Sequence, residues 1–134
     1  MTSEVLCIRG TVLPMETVFA VRGAIQVSEN SRESISAAVR KLVPALLGKN
    51  GVEQHSCVSV VFSVTRDLTA ENPARALRGI GFAAVPLFCT QEPAYEGDLP
   101  RVIRVLVTYR APEGERPTPV YLDGADQLRP DISS

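Results

Sequence analysis

The stretch RVIRVLVTY, residues 101–109, decides the fold. Side chains alternate along a strand, so Arg101, Ile103, Val105, Val107 and Tyr109 fall on one side. Val102, Arg104, Leu106 and Thr108 fall on the other. No other segment reads so clearly as a β-strand, and a cation interrupts it. A guanidinium between Val102 and Leu106 is costly to bury without an anion. That anion is either a carboxylate of the domain or a bound ligand, and the pattern alone weighs the two equally.

The segments around it build an α/β, or α+β, domain. Val18 to Gly23 (VFAVRG) is short, mostly apolar and closed by glycine, as a buried strand would be. Asn30 and Ser31 are good N-caps. Behind them Ile35, Ala38, Val39, Leu42 and Leu46 recur at three- and four-residue steps, which predicts an amphipathic helix ending near Gly48. Pro44 within it should kink the helix or tighten its last turn. Cys57 to Val64 (CVSVVFSV) is rich in β-branched residues and reads as a central strand.

Asn72-Pro73 predicts a helix start, a capping side chain followed by proline at the first helical position. That helix should end near Gly79. Ala84 to Cys89 is expected to be a strand, Ala111 to Pro119 a loop, and Val120-Tyr121-Leu122 a short edge strand. The order implies one mixed sheet with helices on one face. Residues 1–17 form an N-terminal extension with possible strand pieces at Val5–Ile8 and Thr11–Leu13. Residues 18–134 form a single domain with an irregular tail from Leu128. So apolar a sheet with two helices leaves a face to cover, which points to a homo-oligomer.

Composition narrows the function. The chain has 134 residues, 45% apolar and 22% charged, as one globular domain requires. A net charge of −1 argues against nucleic acid as a partner. No run approaches the ~20 apolar residues of a membrane span, and no signal peptide is evident. Cys7, Cys57 and Cys89 lie in no C-x-x-C pair, so reduced cysteines, a cytoplasmic location and no metal site are expected. Twelve of the fourteen cations are arginine. That bias reflects either codon usage or a demand for planar, carboxylate-matching forks.

Position separates those readings. Arg22 precedes Gly23 in a strand. Arg75 and Arg78 lie three apart on the short helix and share a face. Arg104 interrupts its strand, and Arg129 precedes Pro130 in the tail. Glu92, beside a turn, is by spacing alone more often a solvated charge than a ligand group. Tyr121 is more often a half-buried structural tyrosine. His55 lies in a polar loop, where histidine is usually solvated. There is no phosphate loop, nucleophile elbow, zinc-protease motif or dinucleotide fingerprint.

The ordered set of segments resembles the small α/β chorismate mutases of the AroH type. The matching pieces are Val21-Arg22-Gly23-Ala24, Thr65-Arg66-Asp67-Leu68, Pro73-Ala74-Arg75-Ala76-Leu77-Arg78 and Val85-Pro86. Further along come Cys89-Thr90-Gln91-Glu92, Ile103-Arg104-Val105, Val120-Tyr121-Leu122 and Leu128-Arg129-Pro130-Asp131. Together they cover about residues 18–132. The resemblance implies a homotrimeric pseudo-barrel with sites between subunits. It also implies isomerisation of chorismate to prephenate without a cofactor, on the route to phenylalanine and tyrosine.

Carried over by position, the resemblance makes Arg104, Arg22 and Glu92 catalytic. It assigns substrate binding to Arg75, Arg78, Cys89, Phe88, Asn72, Ala74, Tyr121, Leu128 and Arg129. Asn72 stands where the family usually has Phe, and Phe88 where it usually has Thr. Those departures keep two alternatives open, a related cyclic dicarboxylate as substrate and a binding protein without catalysis.

Overall fold

The computed structural model describes residues 5–8 and 11–128. Five strands form one mixed sheet: β3 (Glu16–Gln26), β4 (Cys57–Val64), β5 (Leu87–Gln91), β6 (Val102–Pro112) and β7 (Val120–Leu122). Their spatial order is β5-β4-β6-β3-β7. The strand quoted first, β6, lies at the centre, antiparallel to both β3 and β4. Two edge strands, β7 on β3 and β5 on β4, pair in parallel. β1 (Val5–Ile8) and β2 (Thr11–Pro14) form a separate antiparallel pair. β3 therefore begins at Glu16, inside the stretch assigned to the extension.

The alternation in β6 holds. Ile103, Val105, Val107 and Tyr109 are buried in the main core. There they meet Val60 and Phe62 of β4, together with Leu42 and Leu46 of α1 (Arg32–Lys49) and Leu77 of α2 (Pro73–Arg78). Both helices pack on this one face. On the other face only a small cluster of Ala24, Val102 and Ala125 is buried, under the 3-10 helix Asp123–Leu128.

Local chemistry explains the helix boundaries. Ser31 caps α1, accepting from the Ser34 N–H at 3.1 Å. Asn30 does something else: its Oδ1 accepts from the N–H groups of Thr69 and Ala70, each at 2.9 Å. It thereby fixes the loop that leads into α2. α1 runs through Pro44 as one helix. Pro44 is exposed, so the Arg40 carbonyl that lacks its partner lies on the solvent side. Asn72 caps α2 as expected, with Oδ1 2.9 Å from the Ala74 N–H.

Three strands differ from expectation in their bounds. β6 runs on through Ala111 and Pro112, which pair with Thr17 and Glu16, so the loop expected from Ala111 starts only after Pro112. β3 extends three residues beyond Gly23 because Ala24, Ile25 and Gln26 continue the ladder with β6. The third strand spans Leu87–Gln91, not Ala84–Cys89. Pro86 has no N–H to donate and marks its start, though its carbonyl accepts from Val60.

Two residues lock the sheet to the loops at its ends. Arg101 takes a left-handed φ of 54°, which a side chain disfavours. Its N–H donates to the Asp67 carboxylate at 3.0 and 3.2 Å, and its Nε donates to the Val27 carbonyl at 2.9 Å. Gly23 lets α1 approach the sheet. A Cβ there would stand 3.1 Å from the Val120 carbonyl and 3.3 Å from methyls of Leu42 and Leu46. Among the described residues no helix is long and apolar enough to cross a membrane.

Gly23→Val should therefore lower stability by about 2 kcal/mol through overpacking. Urea unfolding followed by circular dichroism measures it. An unchanged midpoint would contradict the close approach.

Candidate active site

The outward face of the sheet is organised in register rows. One row crosses all five strands: Thr90, Ser63, Arg104, Ala24 and Tyr121. The next row is Phe88, Val61, Leu106 and Arg22. Arg22 and Arg104 are thus diagonal neighbours on adjacent strands, close enough for long side chains to converge. Between Arg104 and Tyr121 stands only the methyl of Ala24, which leaves a hollow.

That hollow is a cleft of about 220 Å³ lined by Arg22, Arg104, Tyr121 and Leu128, with Ser63 and Leu106 on its floor. Larger hollows lie elsewhere but lack converging arginines. One of about 430 Å³ is bordered by Arg101, whose Nε is already used by Val27. Another of about 640 Å³ lies by His55, an exposed side chain 3.3 Å from Glu53.

Arg104 resolves the question its pattern raised. Its carboxylate neighbour is Glu92, with Oε1 3.6 Å from Nε. The contact is an ion pair but not a hydrogen bond, and the buried Nε has no hydrogen-bond partner. The side chain is 43% exposed, and it borders the cleft. A domain carboxylate attends the cation without consuming it. Glu92 is held in turn by the Ser63 hydroxyl, which donates to the same Oε1 at 2.7 Å. Its backbone N–H donates to the Val64 carbonyl at 2.7 Å.

The remaining candidates are placed apart within one protomer. Arg75 and Arg78 are exposed on α2, and Arg75 lies 3.9 Å from Glu71. Asn72 is exposed and spends its Oδ1 on the cap. Ala74 is 2% exposed, with its methyl in the main core. Phe88 is 65% exposed on the outward face, at the end of the row that holds Arg22. Arg129 lies outside the described residues.

Cys89 faces the opposite way from Phe88. Its side chain packs against the main core, and burial pushes its thiol up from the ordinary range. Its backbone is another matter. The Val60 N–H bonds to Pro86, and the Glu92 N–H bonds to Val64. In a parallel ladder these bonds turn the N–H and carbonyl of Cys89 away from β4, along the open edge.

Sequence reasoning missed Ser63, Ala24 and Leu106. The first carried a usable signal. Alternation in CVSVVFSV puts Val61 and Ser63 opposite Val60 and Phe62, and a polar residue on the outward side of an apolar strand is worth asking about.

The fold and site define a mixed-sheet α+β protein whose open face brings two arginines to the wall of one cleft. Residues 18–132 match the family model for chorismate mutase type I. The chain is 43% identical over 119 residues to the chorismate mutase AroH of Thermus thermophilus, covering 87% of this chain and 98% of that one. It is 34% identical over 116 residues to the Bacillus subtilis chorismate mutase AroH, covering 84% and 91%. The solved structure of a chorismate mutase from Clostridium thermocellum superposes with a TM-score of 0.74 at 36% identity, covering 82% of this chain and 99% of that one. The chain belongs to the type I chorismate mutase family.

Because the Cys89 thiol faces the core, Cys89→Ala should leave turnover within about threefold and cost about 1 kcal/mol of stability. Steady-state rates and thermal melts of the variant check this. A hundredfold loss of turnover would place the thiol itself in the chemistry.

Proposed function

We infer that the Arg22–Arg104 cleft rearranges chorismate to prephenate. Membership of the family makes the protein an isomerase of aromatic amino acid biosynthesis, and two arginines converging on one cleft carry the reading. The reaction is an intramolecular Claisen shift. One C–O bond breaks, one C–C bond forms, and no nucleophile, metal or proton relay is required. The protein's task is to select a compact conformer and to meet the charge that develops.

Arginine suits both parts. Each substrate carboxylate accepts paired, charge-assisted bonds from a guanidinium. Arg22 holds one of them, and Tyr121 and Leu128 close over the same cleft. Holding the flexible substrate in its reactive shape removes rotational freedom before any bond changes. As the C–O bond opens, negative charge grows on the ether oxygen. Arg104, fixed in the sheet, binds that charge better in the transition state than in the ground state. Glu92 and the edge backbone of Cys89 hold the ring hydroxyl.

The working unit is a homotrimer with its sites between subunits. The outward face supports this. Val18, Phe88 and Leu106 are 54%, 65% and 39% exposed on one side of a sheet whose other side carries both helices. A bare apolar sheet face of this kind calls for a partner. Residues placed apart in one protomer, Arg75 and Arg78 on α2 and Phe88 on β5, then complete the cleft of a neighbouring subunit. The catalytic domain starts with β3 at Glu16, two residues before the expected boundary, and the stretch before it is an appendage. Cys57 and Cys89 are free thiols, as suits the cytoplasm.

Purified protein should consume chorismate with saturable kinetics, read as loss of its absorbance, and acid treatment should turn the product into phenylpyruvate. A folded protein without turnover would move the search to other cyclic dicarboxylates. Val18→Glu should break the trimer into monomers and lower turnover at least tenfold. Light scattering and rates together test it, and a stable, fully active monomer would contradict the shared site.

A further inference from the structure

Ser63 lies directly opposite Arg104 in the β4–β6 register. Its hydroxyl donates to Glu92 Oε1 at 2.7 Å. That same oxygen stops 3.6 Å from Arg104 Nε, whose buried N–H has no partner. A carboxylate and a guanidinium so placed attract one another, and a bidentate pair is the arrangement in which they would close. The Ser63 hydrogen bond opposes that closure.

The other charged groups around Glu92 do not compete for it. Arg66, Asp67 and Asp98 border the adjoining hollow. The Asp67 carboxylate accepts from the Thr65 hydroxyl and the Arg101 N–H, and Asp98 accepts from the Tyr95 N–H. Arg66 makes no ion pair among the described residues.

We propose that Ser63 is a positioning residue for the rearrangement. Its hydroxyl pins the Glu92 carboxylate at the Nε edge of Arg104, so that the terminal nitrogens of the guanidinium stay turned to the cleft and open to the substrate. Without it, Glu92 swings onto those terminal nitrogens and captures the cation that the reaction uses. The proposal rests on the reading of Arg104 as the cation that faces the breaking bond. It adds a cause for that cation's availability.

Steady-state chorismate kinetics on Ser63→Ala, Ser63→Thr, Glu92→Gln and the double variant Ser63→Ala/Glu92→Gln test it. Ser63→Ala should lower kcat about ten- to a hundredfold with KM moving less than about threefold, because the lost term acts on the transition state. Ser63→Thr keeps the hydroxyl on a strand-compatible side chain and should recover kcat to within about threefold. The double variant should be no slower than Glu92→Gln alone, since Ser63 acts only through that carboxylate.

A Ser63→Ala enzyme with wild-type kcat, beside an impaired Glu92→Gln, would overturn the role of Ser63 while leaving the site intact. A fully active Glu92→Gln would overturn the reading of the Glu92–Arg104 pair itself. Additive losses in the double variant would assign Ser63 a merely structural effect and also overturn the proposal. Should Ser63→Ala fail to fold, Ser63→Cys, nearly isosteric with a weaker donor, carries the same comparison.

Discussion

A guanidinium stands in a row of a β-sheet, faces an open cleft, and has a carboxylate beside it that does not quite reach it. The rest of the molecule makes that arrangement affordable and keeps it in place. Arg104 belongs to the central strand, flanked on both sides by antiparallel partners. Its Cα is fixed by two ladders. Its neighbours along the strand, Ile103 and Val105, are buried in the core and anchor it from the opposite face. The cation sits on a rigid element, where a charge that must meet a transition state is most useful.

The same two-faced logic runs through the whole sheet. The inward face is packed by α1 and α2, and Gly23 lets α1 lie close. The outward face is left with small, polar and apolar residues, whose rows bring Arg22, Arg104 and Tyr121 together from three strands. The ends are tied by polar contacts. Asp67 holds the strained Arg101 just before β6 begins, and Lys41 reaches Asp123 at 3.0 Å where β7 turns toward Leu128. Strain of this kind persists only where its surroundings determine it.

Much of this was legible in the sequence, for physical reasons that differ by element. β4 and the start of α2 were read to the residue because β-branching and the Asn72-Pro73 cap are local signals. The inward and outward sets of β6 followed from alternation alone. Asn30 was misread as a possible cap because its real partners, Thr69 and Ala70, are distant in sequence. The start of β5 was placed three residues early because apolar residues before Pro86 look like strand, whereas pairing begins at Leu87. Arg22, Arg104, Tyr121 and Leu128 line one cleft. The α2 candidates do not join them within one protomer, because α2 packs on the inward face of the sheet while the cleft lies on the outward one. Ser63 was overlooked because a lone serine in a strand announces nothing until the register sets it against Arg104.

The measurement closest to the central claim is the turnover of chorismate by Arg104→Ala and Arg104→Gln, set against wild type after circular dichroism and light scattering show the fold and assembly unchanged. If a fixed cation stabilises the developing charge, kcat falls by about a thousandfold or more in both variants, equivalent to about 4 kcal/mol of transition-state stabilisation. A fall of less than about tenfold, in protein that is folded and assembled, would contradict the account and leave Arg104 as one binding group among several.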